Sequence, residues 1–201
     1  MTYIAFEGGE GSGKSTQARL LAERIEAILT REPGATDLGA RLRSLLLDPD
    51  GTPVDPRTET LLMAADRAQH MAEVVRPALA AGRHVVSDRS VFSSLAYQGG
   101  GRGLGVDEVR ELNRWALDGM WPEWVVFLDV GLDAARERLD RRLDRLEQEH
   151  ESFHERILCT YRELASADNW LTIAADGSID EVAERVWAAV EPVLSAGVVP
   201  R

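Results

Sequence analysis

Cysteine is almost absent from this chain. Cys159 stands alone, so no disulfide can form within the chain and no cysteine-built zinc site is available. Long apolar runs are also missing, and no stretch approaches the ~20 residues of a membrane-spanning helix. The N-terminus lacks a basic region followed by an apolar stretch, so no signal peptide is expected, and a cytoplasmic location fits the cysteine usage. Positive charge is in deficit. A formal net charge of −11 argues against the broad basic face that binds long nucleic acid, but it permits a local positive pocket for a small phosphorylated ligand. Lysine is the scarcest charge of all: of 23 Lys plus Arg, only Lys14 is lysine. Where arginine serves at every other basic position, that one residue belongs where a compact ammonium on a flexible stem is needed.

What remains is an ordinary globular balance, 201 residues with 44% hydrophobic, enough for one domain or one domain with a small lid. Short apolar runs read as strands at 2–7, 28–30, 84–88, 125–130 and 171–174. Helical patterns lie between them: from Lys14 to about Ile28, Asp37 to Leu47, Thr58 to Ala81 with a kink at Pro77, Val91 to Tyr97, and Asp107 to Leu117. Two more follow, Asp133 to about Ala167 and Asp180 to Leu194. Gln98 to Gly105 reads as a glycine loop. Alternating strands and helices imply an α/β fold: a five-stranded, mainly parallel sheet with helices on both faces.

Gly8-Gly9-Glu10-Gly11-Ser12-Gly13-Lys14-Ser15 fits G-x-x-x-x-G-K-[ST], between the first strand and the first helix, and Thr16 follows. The glycines let the backbone wrap a phosphate with its N–H groups turned inward, and the helix N-terminus adds a favourable dipole. Lys14 reaches the β- and γ-phosphates and the Ser15 hydroxyl ligates Mg²⁺. The loop therefore predicts a nucleoside triphosphate ligand without saying what is done to it. A guanine-reading N-K-x-D motif is impossible, because Lys14 is the only lysine. At this length a small-molecule kinase is favoured over a switch or a motor.

Several segments in order narrow the reading: the P-loop with an acid inside it, Thr30-Arg31-Glu32-Pro33-Gly34, Leu42-Arg43-Ser44-Leu45-Leu46-Leu47, Ala65-Asp66-Arg67-Ala68-Gln69-His70, Asp88-Arg89-Ser90, Ala96-Tyr97-Gln98-Gly99 and Leu128-Asp129-Val130. On these the chain resembles bacterial thymidylate kinases along nearly its whole length. The resemblance implies a single domain over residues 1–201 with the P-loop kinase fold and a small helical lid at about 136–150. It also implies phosphorylation of dTMP to dTDP by ATP with Mg²⁺, a homodimer formed through the long helices, and neither membrane nor nucleic acid as partner.

The same resemblance assigns residues. Arg89 matches the arginine between donor and acceptor phosphates. Asp88 would hold Mg²⁺ or its waters, or orient Arg89; it could equally cap a helix. Arg31 matches the arginine that approaches the acceptor phosphate, and Glu10 the P-loop acid that faces the sugar. Arg67 matches the arginine near the thymine carbonyl. Ser94 and Gln98 are further base contacts, and Tyr97 matches the tyrosine that crowds the 2′ position. Met63 stands where an aromatic residue often stacks on thymine; methionine still packs on a ring. No arginine lies inside the P-loop, so lid arginines take its place, with Arg141, Arg142 and Arg145 as candidates.

Relative to the family pattern, the chain is several residues short before Thr30, leaving little room for a second strand, and its lid is shortened. His150 and His154 read as a solvated helix surface rather than a metal pair. Trp115, Trp121 and Trp124 read as core or interface anchors. A kinase for another nucleoside monophosphate, or a nucleotide-binding module without turnover, stays compatible with these residues.

Overall fold

A computed structural model describes residues 1–138 and 142–195. Five strands form one sheet in the order β2-β3-β1-β4-β5. They are β1 (Tyr3–Glu7), β2 (Ile28–Arg31), β3 (Val85–Asp88), β4 (Trp124–Asp129) and β5 (Trp170–Ala174), and every pairing is parallel. The strands are apolar runs because both faces of the sheet are covered. Alternation along each strand divides the core in two. Tyr3, Val85, Val125 and Phe127 face one cluster, and Ile4, Phe6, Val86, Val126 and Leu128 face the other. Helices α1 (Lys14–Arg24) and α9 (Ile179–Ser195) close the second cluster. The first lies under α2 (Asp37–Leu47), α3 (Pro56–His70), α5 (Val91–Ser94), α6 (Val106–Leu117) and α8 (Glu151–Leu164).

The second strand does form. Helix α1 stops at Arg24 instead of running to Ile28, and Glu26 takes a left-handed φ of 53°. That turn uses only residues 25–27, and Ile28 N–H then donates to the His84 carbonyl at 2.8 Å to begin β2. The short connection therefore leaves room for a four-residue strand, Ile28–Arg31.

Three helical expectations are corrected. The pattern from Thr58 to Ala81 starts earlier, at Pro56, where Asp55 Oδ1 accepts from Arg57 N at 2.9 Å and proline suits the first turn. It then passes through a π-helical turn, Met71–Val75, into α4 (Arg76–Ala80). The wider turn directly precedes Pro77, whose ring excludes a normal bond to the carbonyl four residues back. The glycine stretch after Tyr97 is not a loop at its start: Leu95–Gly101 continues α5 as π-helix. Its glycines serve close packing, since a Cβ on Gly100 would sit 2.0 Å from Thr160 Oγ1 on α8.

The long charged pattern beyond Asp133 breaks as well. Helix α7 (Leu132–Glu137) is short, and α8 begins only at Glu151. Between them Asp144 Oδ1 accepts from Leu146 N and Glu147 N, while Glu147 Oε2 accepts from Asp144 N, a closed turn that competes with helix. His150 is the N-cap of α8, so it does not share a helix face with His154. Trp115 is no packing anchor within the chain: it is 85% exposed. No described helix is long and apolar enough to cross a membrane.

Candidate active site

The carboxyl ends of β1 and β3 lie side by side, with Phe6 opposite Asp88. Chain direction is therefore what brings the loop after Glu7 against Asp88 and Arg89, where ligands of parallel α/β sheets bind. A cavity of about 640 Å³ opens there. Glu10, Gly11, Gly13, Lys14, Ser15 and Thr16 line one end of it. Gly8, Gly9 and Ser12 do not line it but shape the loop. Gly11 must be glycine, because its φ is 72° and a Cβ would strike the Ala135 carbonyl oxygen at 2.0 Å.

Lys14 Nζ donates to the Gly9 carbonyl at 2.6 Å and to Ser12 Oγ at 3.3 Å. Its pKa falls to about 8: burial lowers it, Arg89 adds repulsion, and Glu10, Asp88 and Glu7 offset only part. Ser15 Oγ donates to Asp88 Oδ2 at 2.5 Å. Two oxygen donors so close, beside a phosphate cradle, suit a hard divalent cation whose other ligands are phosphate oxygens and water.

Arg89 occupies the middle of the cavity with a left-handed φ of 71°. Ser87 Oγ donates to its carbonyl at 2.6 Å and its own N–H donates to Phe6 at 3.0 Å, which hold the unusual backbone. Its guanidinium donates to Glu10 Oε1, to Tyr97 Oη at 3.1 Å and to Ser93 Oγ at 3.2 Å. Tyr97 Oη in turn donates to Glu10 at 2.7 Å. Burial alone would raise the Glu10 carboxyl, but Arg89 and Lys14 outweigh it and hold it far below the usual range.

Arg31, Arg43, Met63, Arg67, Ser94, Tyr97 and Gln98 line the same cavity. Arg43 donates to the Pro33 carbonyl at 3.0 Å, and burial together with Arg31 and Arg89 lowers its pKa. Arg67 is 2% exposed. Its Nε donates to Glu32 at 2.8 Å, its Nη1 to Asn113, and its Nη2 to the Ser90 carbonyl at 3.2 Å and Ser94 Oγ at 3.0 Å. His70 lies between Glu32 at 2.9 Å and Thr30 Oγ1 at 2.7 Å. Burial raises the Glu32 carboxyl, but Arg67 and His70 bring it below its ordinary value.

The lid candidates separate. Arg141 lies outside the described residues. Arg142 pairs with Asp50 at 2.6 Å at the surface. Arg145 turns from the cavity, with Nε on the Leu46 carbonyl at 2.7 Å and Nη2 on Glu59 at 2.7 Å. Arg138, which the sequence reading passed over, does line the cavity.

Sequence reasoning also missed Arg43, Glu32 and Glu7. Arg43 sat inside a matched segment, two residues from Arg41 on the same helix, with nothing to single it out. Glu7 is fully buried and accepts from Ser90 Oγ, Ser93 Oγ and Tyr161 Oη at 2.6–2.8 Å. An acid at the end of an apolar strand was the available signal.

Comparisons with known proteins agree with this geometry. A family model described as thymidylate kinase matches residues 6–186. A thymidylate kinase of Synechococcus sp. (strain JA-3-3Ab) is 47% identical over 98% of this chain and 98% of its own length. One from Halothermothrix orenii is 43% identical over 96% of this chain and 97% of its own. The crystal structure of thymidylate kinase from Ehrlichia chaffeensis superposes with a TM-score of 0.77 at 29% identity, covering 94% of this chain and 98% of that one.

Proposed function

Since the chain belongs to the thymidylate kinase family, we infer that its cavity transfers the γ-phosphoryl group of ATP to dTMP, giving dTDP and ADP. One observation carries the reading to the residues: the P-loop lysine and the arginines at positions 31, 43 and 89 line a single cavity. The acceptor is already an ionised phosphate, so the site needs no general base. Its tasks are to bring two polyanions into line and to stabilise charge on the transferred group, both of which call for cations.

The P-loop from Gly8 to Thr16 holds the triphosphate, with Lys14 on its terminal phosphates. Mg²⁺, held by Ser15 with Asp88 on it or on its waters, would neutralise phosphate charge. Arg31 and Arg43 hold the acceptor phosphate, and Arg89 bridges the two reactants. Glu10 keeps Arg89 and Tyr97 in place and offers its remaining oxygen to the sugar, while Tyr97 crowds the 2′ position. Met63 packs on the base; Arg67, Ser94 and Gln98 read its edge. In a single domain with its lid at about 136–150, Arg138 is the arginine of that segment that lines the cavity, while Arg142 and Arg145 are held by Asp50 and by Leu46 and Glu59. Leu38, Leu45, Leu61 and Trp115 expose apolar surface on α2, α3 and α6, which supports a homodimer. The same reading makes it a cytoplasmic enzyme that uses ATP and Mg²⁺.

Coupled ADP release with ATP-Mg²⁺ and each of dTMP, dUMP, UMP, CMP, AMP and GMP tests the assignment. Turnover strongest with dTMP is expected. ATP binding without turnover on any acceptor would overturn it.

A further inference from the structure

Glu59, on α3, is a fully buried acid that the mechanism above does not use. A carboxylate with no exposed surface must be neutralised and hydrogen-bonded. Arg102 Nη2 donates to it at 3.0 Å and Arg145 Nη2 at 2.7 Å. Arg102 Nε also reaches Glu59 Oε1 at 3.4 Å, and the same oxygen accepts from an uncharged donor, Gln98 Nε2, at 2.8 Å. Gln98 is 1% exposed yet lines the cavity, and its Oε1 has no hydrogen-bond partner among the described residues.

The chemistry of the pair fixes a direction. A carboxylate between two guanidiniums only accepts, so Gln98 must turn its NH₂ toward Glu59 and its oxygen away. Beside it, Arg67 has five N–H donors, of which four go to Glu32, Asn113, Ser90 and Ser94. One N–H on Nη1 remains. The base end thus offers an acceptor from Gln98 and a donor from Arg67. A pyrimidine with N3–H and a 4-oxo group complements that order, whereas cytosine, with a bare N3 and a 4-amino group, inverts it.

We propose that Glu59 is a specificity-positioning residue: by holding the Gln98 amide in one orientation it makes the site accept thymine and reject cytosine. The inference rests on the reading of Gln98 as a base contact. Glu59 itself touches no substrate. Because it also holds Arg145 of the lid segment, the base end and the lid share one anchor.

Glu59→Gln tests this, since an amide can donate or accept and lets Gln98 turn over. The readout is the ratio of kcat/KM for dTMP to that for dCMP, with kcat and KM resolved. The ratio should fall by at least about tenfold, mainly through KM, because a site loses discrimination when its polar groups can re-pair. Arg102→Met removes charge but leaves the Gln98 contact, and should keep the ratio. Should E59Q alone not fold for want of the charge that neutralises Arg102, the E59Q/R102M double variant reads the same quantity. A folded E59Q with the wild-type ratio, or one that loses kcat equally on both nucleotides, overturns the role of Glu59. Wild-type protein that does not prefer dTMP over dCMP sinks the functional reading, and this inference with it.

Discussion

At Lys14 burial and the Arg89 charge outweigh three neighbouring carboxylates, and the outcome is a pKa of about 8 against an ordinary 10.5. The folded value lies below the unfolded one. Between about pH 8 and 10.5 the unfolded chain therefore binds more protons, and this residue's contribution to stability rises with pH across that window. Below about 8 its buried charge is a full penalty on folding. Function runs the other way, because the ammonium is what attracts the triphosphate. The expected result is that kcat/KM for ATP, which reports the free enzyme, falls as pH rises above about 8. The kcat profile should hold further, since bound phosphates favour the charged lysine. A kcat/KM profile still flat at about pH 9.5 would remove Lys14 from this role. The singularity of this lysine was visible in the sequence. The importance of Arg43 was not, because a helix with arginines at both 41 and 43 does not say which one a cavity will receive.

Helix packing sets what Leu95–Gly101 can tolerate. A methyl on Gly100 would meet Thr160, Oγ1 at 2.0 Å and Cβ at 3.0 Å, on a β-branched side chain with little room to swing. Gly100→Ala should therefore destabilise by about 1–3 kcal/mol, as overpacking does, even though alanine favours helix. Chemical denaturation would measure the loss, and Thr160→Ala in the same background should recover part of it. An unchanged midpoint for G100A would mean that α8 shifts freely. The same segment carries Tyr97 and Gln98, so its fit against α8 also sets where two cavity residues stand. This packing was hidden in the sequence, where glycines after Gln98 read as a loop. Strands were legible because burial on both faces writes itself as apolar runs. The break in the helical pattern across residues 133–167 was not, since Arg145 and Asp144 spend their polar groups on Leu46, Glu59 and a local turn rather than on helix surface. Composition favours helix there, and tertiary partners decide against it.

Over the whole molecule, acidity and apolar exposure point to different partners. The net charge is −11, yet Lys14 and five arginines (31, 43, 67, 89 and 138) converge on one cavity. Global charge gives solubility while local placement gives affinity for phosphate. Apolar exposure gathers elsewhere, with Leu38 and Leu45 on α2 47% and 57% exposed, Leu61 on α3 56%, and Trp115 on α6 85%. Leu38, Leu42 and Leu45 recur at helical spacing, and α3 packs against both α2 and α6. An apolar surface shared by three adjoining helices suits an isologous contact with a second copy. Sedimentation should give twice the 22.2 kDa chain mass at micromolar protein. Leu61→Glu should yield a monomer with unchanged circular dichroism, because the side chain lies outside the core. Helix α3 also carries Met63 and Arg67, so loosening its outer face should raise KM for dTMP more than it lowers kcat. A wild-type protein that sediments at 22.2 kDa, or a fully active L61E dimer, would show that these helices are bare for another reason.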